Sequence, residues 1–423
     1  MSRTLARLPE GSRISDYLSV GLIAKLYPLA RVRAALAATG RESERQRDLP
    51  AHVMVYYSIT LALYMQSSYR EVLRCLLEGV QWLSGSALGL GLDPGSDAPL
   101  VVSGNSGISQ ARTRLGVEPL RHLHDELVGP IAVAGTRGAW WRAWRVVSLD
   151  GSTLDVADEQ ANALRFGRPG ASRGQSAYPK LRFVSVVESG THVLFGTQVA
   201  GYATGENTLA KAALEAGALR PGMLCLADRG FFGFAMWQRA LATEAHLLWR
   251  VKQNLRLPCE ARLPDGSYLS RIYATDTDRR HQSGAIVVRV IEYTLDGVAG
   301  AEPIYRLITS LLDHEAAPAR ELAALYQQRW EIETSFDELK SHLRGARIVL
   351  RSKTPELVLQ EFYGLMMAHF AVRSLMHEAA LKADIDTDQL SFLHAVRVIR
   401  RKMPIFIAIP PSAAPSLSSA PTR

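Results

Sequence analysis

The segment Tyr326-Gln-Gln-Arg-Trp-Glu-Ile-Glu-Thr-Ser-Phe-Asp-Glu-Leu-Lys340 concentrates the residue types that handle a phosphodiester. Written as a helix at roughly 100° per residue with Tyr326 at zero, it puts Arg329 near −60°, Glu333 near −20°, Asp337 near +20° and Lys340 near −40°. Leu325, Ile332, Phe336 and Leu339 fall on a neighbouring stripe that can dock on a core. The polar face then offers a carboxylate for a divalent cation and two cationic side chains for phosphate oxygens. A solvated helix with an Arg329–Glu333 pair worth about 0.2–0.5 kcal/mol fits the same spacing, so the periodicity alone leaves both readings open.

Metal-assisted phosphodiester chemistry needs further acids, and two stand upstream at the ends of apolar, β-rich runs. Asp150 follows Trp144-Arg-Val-Val-Ser-Leu149 and precedes Gly151-Ser-Thr153; Asp228 follows Met223-Leu-Cys-Leu-Ala227 and precedes Arg229-Gly230. Either one alone is an ordinary turn signal. Their order, with the Tyr-Arg-Glu-Lys pattern last, carries the information.

Asp150-Gly-Ser-Thr-Leu154, Asp228-Arg-Gly-Phe231 and the Tyr326, Arg329, Glu333, Lys340 spacing resemble the motifs of the insertion-sequence-4 family of bacterial DDE transposases. Asp16-Tyr-Leu-Ser-Val-Gly21, Thr39-Gly-Arg41 and Arg45-Gln-Arg-Asp-Leu-Pro50 extend the resemblance towards the N-terminus. It implies that Asp150, Asp228 and Glu333 bind two Mg²⁺ ions, with Mn²⁺ able to substitute, and that Tyr326, Arg329 and Lys340 hold a DNA phosphate. It implies an enzyme that binds the terminal inverted repeats of its element, cuts there and transfers the ends to target DNA, with a hairpin end as one route. A dimer on paired double-stranded DNA ends and a nucleoid-associated place in the bacterial cytoplasm go with it. Two other classes remain as alternatives: a ribonuclease-H-like nuclease that only cuts, and a catalytically inactive DNA-binding descendant.

The elements around the acids read as one α/β domain. Lys180–Val187 and His192–Val199 form a hairpin, Asn207–Leu219 a helix with Asn207 as its N-cap, Phe234–Thr243 a helix and His246–Lys252 a strand. By resemblance, this order is a ribonuclease-H-like mixed sheet flanked by helices. The stretch 254–313, with the alternating run Ile286–Tyr293, reads as a β-rich insertion. The expected domains are therefore a helical N-terminal domain over 1–135, a catalytic domain over 136–253 and 314–402, the insertion over 254–313, and a disordered Pro/Ser/Ala tail over 403–423. Helices are expected at Val20–Ala38, Leu49–Gln66, Tyr69–Ser84 and Ser106–Leu115. In the last, Gln110, Arg112 and Arg114 have the chemistry to reach base edges of the element's ends, and a surface helix that packs the two domains together fits the same residues equally well.

The net charge of +8 suits a polyanionic partner. Arg165, Arg168, Arg173, Lys180 and Arg182 occur in an acid-free run, as do Lys340, Arg344, Arg347, Arg351 and Lys353, and both runs follow a candidate acid. The tryptophans of Trp140-Trp-Arg-Ala-Trp144 read as packing residues ahead of a core strand. The three cysteines, Cys75, Cys225 and Cys259, have neither disulfide-framework nor zinc spacing. The longest apolar run, about His52–Met65, is short of the ~20 residues of a membrane span.

Overall fold

The computed structural model describes residues 18–43, 49–84, 103–171, 174–175, 178–295, 302–327, 329, 331–343 and 349–401. Asp16, Tyr17, Arg45–Asp48, Arg173, Arg344, Arg347 and the 403–423 tail lie outside them. The chain begins with α1 (Leu18–Leu26), α2 (Leu29–Ala38), α3 (Ala51–Leu63), α4 (Tyr69–Ser84), α5 (Asn105–Leu115) and α6 (Glu118–Leu127). Next come β1 (Trp140–Trp141), β2 (Trp144–Asp155), α7 (Gln160–Phe166), β3 (Gly170–Ala171), β4 (Gly174–Gln175), β5 (Lys180–Glu188) and β6 (Leu194–Gly201). They are followed by α8 (Glu206–Glu215), β7 (Met223–Ala227), α9 (Phe234–Leu241) and β8 (His246–Arg250). Then follow β9 (Ala261–Arg262), β10 (Tyr268–Ile272), α10 (Asp276–His281), β11 (Ile286–Tyr293) and β12 (Tyr305–Thr309). The last elements are α11 (Ala319–Gln327), α12 (Glu331–Asp337), a π-helix (Glu338–Leu343), α13 (Pro355–Ala383), a 3₁₀ turn (Thr387–Gln389) and α14 (Phe392–Arg401).

These elements form two compact units: Met1–Leu127 with Glu338–Met376 and Leu390–Arg423, and Val128–Asp337 with His377–Gln389.

The first unit is helical. The expected single helix Val20–Ala38 is two, because Pro28 cannot donate the backbone hydrogen bond that would continue α1. From Val53 to Leu63, α3 is buried on every side. A Cβ on Gly364 of α13 would lie 2.2 Å from the Ser58 carbonyl oxygen of α3, so only glycine permits this approach. The Tyr27 hydroxyl donates to the Met367 carbonyl (2.9 Å) and the Tyr56 hydroxyl to the Tyr27 carbonyl (2.7 Å). Of the two roles open to Arg112, contact with DNA and packing, it takes the second: it is buried, donating to Gln360 Oε1 (3.2 Å), Ser352 Oγ (3.1 Å) and the Leu357 carbonyl (2.9 Å). Its partners lie some 240 residues away in the chain, beyond the reach of any local pattern; Gln110 and Arg114 stay exposed. Because α13 completes this core, a fragment ending near residue 135 should show no cooperative unfolding by circular dichroism, whereas the full chain should.

The second unit is built on one mixed sheet of strand order β6-β5-β2-β7-β8-β12-β11-β10-β9, with β1 paired to β2. β2, β7 and β8 run parallel; β5 is antiparallel to β2, and β6 to β5. An antiparallel hairpin beside three parallel strands, with helices between the later ones, is the ribonuclease-H-like order. Met-Leu-Cys-Leu-Ala in β7 is apolar throughout and all five residues are buried, as a central parallel strand requires. The expected β-rich insertion continues the same sheet, β12 pairing antiparallel with β8. It also fixes the start of α11: Asp265 pairs with the fully buried Arg289 and accepts the Ala319 N–H (2.8 Å), while Arg289 donates to the Ala317 carbonyl (2.6 Å).

Trp141 stacks on Trp144 (5.5 Å between ring centres), and both pack against the sheet core, as expected of packing residues. Arg145 reaches the fully buried Glu188, which also accepts the N–H groups of Ile131 (2.9 Å) and Ala132 (3.0 Å) and the Thr191 hydroxyl (2.6 Å).

Candidate active site

Leu149 on β2 and Ala227 on β7 are direct partners in the parallel ladder, so Asp150 and Asp228 follow side by side one strand spacing apart. Asp150 Oδ1 accepts the Gly151 N–H at 2.8 Å, and Oδ2 lies 3.5 Å from an Arg329 nitrogen. Burial pushes the Asp150 carboxyl up to about 6, with the charges of Glu206 and Asp228 adding to it, against the pull of the Gly151 N–H and Arg329. Asp228 begins a turn in which its carbonyl accepts the Phe231 N–H at 3.0 Å. Its Oδ1 is buried without a hydrogen-bond partner among the described residues, and Arg250 approaches only to 3.9 Å.

The Tyr326–Lys340 segment is not one helix. α11 ends at Gln327, Arg329 stands in a 3₁₀ turn, α12 starts at Glu331 and the chain widens into a π-helix at Glu338. Neither proline nor glycine stands in the break, so the periodicity reads straight through it. The break turns Tyr326 inward: it is buried and its hydroxyl donates to the Ala227 carbonyl at 3.2 Å, next to Asp228. Burial raises the tyrosine pKa accordingly. Arg329 stands at Asp150 rather than at Glu333, so the i,i+4 pair of the solvated-helix alternative is absent among the described residues.

α12 packs on β2 through buried Ile332, Ser335 and Phe336, the Phe336 ring edge-on to Phe183 at 5.6 Å. Glu333 is thereby left on the exposed side, with no hydrogen bond or ion pair among the described residues. Its carboxylate does not close into a tight cluster with Asp150 and Asp228 here. Lys340, half-buried in the π-helix, belongs to the other compact unit.

Sequence reasoning missed Glu206, the first residue of α8, whose side chain packs on Gly151 beside Asp150. It also gave the N-cap to Asn207, whereas Gly205 occupies that position and the Asn207 side chain donates to the Gly230 carbonyl at 3.1 Å. A second grouping, His192, Glu331 and Asp388, lies outside the proposed centre. There the imidazole Nε2 is 3.2 Å from Asp388 and 3.9 Å from Glu331, and Glu331 accepts the Gly190 N–H at 3.0 Å, tying the β5–β6 turn to the start of α12. Much of the basic clustering is internally paired: Lys180 with Asp155 (2.7 Å), Arg168 with Asp158, and Arg182 with Glu206 (3.9 Å). Arg351 caps the Ser67 carbonyl and covers the Tyr69 ring. These contacts give the described part of the runs a structural role.

Asp228 directly follows β7, as expected of an acid at a strand end, whereas Asp150 lies within β2, which continues to Asp155 because its pairing with β5 does. The donors of both are carboxylate oxygens, one of them buried and unbonded, which fits a hard divalent cation and not a soft one. An α/β enzyme of ribonuclease-H-like order, with one acid within a central strand and another directly after its parallel neighbour, is the class this defines. Residues 142–371 match the model of the transposase DDE domain, and residues 17–125 that of the insertion element 4 transposase N-terminal region. The chain belongs to the DDE transposases of the insertion element 4 family, enzymes that use divalent metal. It is 26% identical over 411 residues to the transposase InsG for insertion sequence element IS4 of Escherichia coli (strain K12), covering 96% of this chain and 85% of that one. It is also 23% identical over 203 residues to the putative transposase InsZ of the same organism, covering 46% of this chain and 60% of that one. A cryo-EM structure of the piggyBac transposase synaptic complex with hairpin DNA is similar at a TM-score of 0.45 and 11% identity, with 96% and 86% of the two chains covered. Among the described residues no helix is long and apolar enough to cross a membrane.

Proposed function

We propose that this transposase cuts DNA at the terminal inverted repeats of its own insertion sequence and joins the freed ends to target DNA, with Asp150, Asp228 and Glu333 as the metal-binding acids. The observation that carries the reading is that Asp150 within β2 and Asp228 directly after β7 each follow one member of the paired Leu149 and Ala227, with Arg329 against Asp150. Two Mg²⁺ ions, for which Mn²⁺ substitutes, supply Lewis-acid activation of the attacking oxygen and stabilisation of the leaving one when bound. Strand pairing fixes the backbone of Asp150, opposite Ser185 of β5, and the paired Ala227 fixes the point at which Asp228 leaves β7. Glu333 brings the third carboxylate from a helix whose buried face is anchored on β2.

Arg329 offers a planar fork for phosphate, and Lys340 a point charge. In the protein alone Arg329 rests 3.5 Å from Asp150, and it is the group that would hold a DNA phosphate if Asp150 held a cation. Tyr326 acts through position, its hydroxyl bracing the Ala227 carbonyl beneath Asp228. The helical unit holds the terminal repeat, two copies act on paired ends, and the end passes through a hairpin that a denaturing gel would reveal. Gel shifts of the full chain with repeat and scrambled DNA, followed by cleavage in Mg²⁺, test the whole reading.

Arg329→Ala is expected to slow processing of the second strand more than the first nick, by tenfold or more in single-turnover kinetics. Equal loss at each step, with a lowered unfolding temperature, would assign Arg329 to holding the fold through Asp150.

Because Asp150 sits near 6 rather than 3.8, protons compete with the cation across that window. Cleavage should fall as pH drops through about 6, and the fall should move to lower pH as Mg²⁺ is raised. The sign for stability follows: a raised carboxyl favours folding below its unfolded value of 3.8 and loses that contribution as pH rises through about 6. In EDTA, Asp150→Asn should therefore gain on wild type between pH 4 and pH 7.

A further inference from the structure

Gly151 follows Asp150 inside β2, where glycine weakens a strand unless something needs the space. Its backbone has no positive φ, so conformation does not require it. The space is filled by Glu206. A Cβ built on Gly151 would lie 2.8 Å from both Cγ and Cδ of Glu206 and 3.2 Å from its Oε1. The glutamate's carboxyl end therefore lies directly against the backbone of the residue after Asp150.

The ordinary reading of Glu206 is an acid at a helix N-terminus, stabilised by the dipole of α8 and by Arg182. That reading leaves two observations unexplained. Arg182 already donates to the Thr204 carbonyl (3.1 Å) and lies over the Tyr202 ring (4.6 Å). Its Nε stays 3.9 Å from Glu206 Oε1, too far for a hydrogen bond, and has no other partner among the described residues. In addition, the helix start could hold an acid facing solvent, yet this one is turned onto the strand that carries Asp150. Glu206 and Asp228 thus place two like charges where each raises the cost of ionising Asp150. All three are oxygen donors, from α8, from β2 and from directly after β7, although their ligand atoms do not lie within 4.8 Å of one another here.

We propose that Glu206 is a fourth carboxylate of the metal centre, holding a divalent cation together with Asp150, directly or through a bound water, and that Gly151 is glycine to admit it. The inference rests on the metal-centre reading above. It assigns Glu206 to metal affinity, while Asp150, Asp228 and Glu333 keep the roles already given.

The test is Mn²⁺ binding to the full chain without DNA, followed by the electron paramagnetic resonance signal of free Mn²⁺, for wild type, Glu206→Gln, Glu206→Asp and Asp150→Asn, each with its unfolding temperature in EDTA. Glu206→Gln is expected to weaken Mn²⁺ binding about tenfold or more, the range found when groups supporting a metal site are removed. In EDTA it should unfold at the wild-type temperature or higher, because a repulsive charge has gone. Glu206→Asp should recover part of the affinity. Gly151→Ala, which pushes Glu206 away and leaves its charge in place, should copy the loss of affinity. Wild-type Mn²⁺ affinity in Glu206→Gln would overturn the proposal, as would a loss of affinity matched by a lower unfolding temperature in EDTA. If Asp150→Asn also bound Mn²⁺ like wild type, the metal centre itself would be refuted, and this inference with it.

Discussion

Replacing Asp150, Asp228 or Glu333 by alanine is expected to reduce end cleavage by about a thousandfold or more while leaving the gel shift of the terminal repeat within a few-fold of wild type. The size follows from the chemistry. Cations held by these acids contribute several kcal/mol of transition-state charge stabilisation, and each ~1.4 kcal/mol is a factor of ten in rate. DNA binding should survive, since under the proposed function it rests on cationic side chains and the helical unit. Removing an acid lowers the negative charge that DNA meets at the site. Asp337 is the internal control: it lies one turn beyond Glu333 on the exposed side of α12. Near-normal cleavage by Glu333→Ala together with loss by Asp337→Ala would move the third ligand to Asp337.

Arg145→Ala is expected to destabilise the protein by about 3 kcal/mol, the low end of the range for breaking a buried ion pair. Glu188 is fully buried, and without Arg145 its charge keeps only the two amide donors and the Thr191 hydroxyl. Those neutral donors and the partial exposure of Arg145, 17% at its side chain, hold the cost to the low end. Urea unfolding at pH 7 measures it. Arg145→Ala with Glu188→Gln should regain part of the loss, since the stranded charge is gone; equal loss in single and double variants would show that Arg145 acts by covering Trp140 instead (4.6 Å from the ring centre).

The parts of this architecture that depend on neighbours in sequence were legible, and those that depend on distant partners were not. Asp150 and Asp228 stood out because an apolar run, an acid and a turn residue are contiguous, and β11 is found at Ile286–Tyr293 because alternation is local. The Pro28 break was equally local and was read through. The interruption between α11 and α12 has no such marker; it follows from docking Tyr326 beneath Ala227 and Ile332 and Phe336 on β2. Arg112 carries a DNA-binding residue type yet is consumed by partners on α13 and just before it. Glu206 was hidden because its neighbour Asn207 looked like the better cap, and because the space that Gly151 leaves becomes visible only once β2 and α8 are packed together.

The account stands most directly on one reaction. Linear DNA carrying the element's own ends, taken from the sequence flanking its gene, is incubated with the full chain, Mg²⁺ and a supercoiled target plasmid. Joined end–target products are scored beside a Glu333→Ala control and an EDTA control. The expected result is covalent joining of the element's 3′ ends to the plasmid by wild type in Mg²⁺ and none in either control. Cleaved ends that are never joined, under conditions where cleavage runs to completion, would contradict a transposase and leave a nuclease that only cuts.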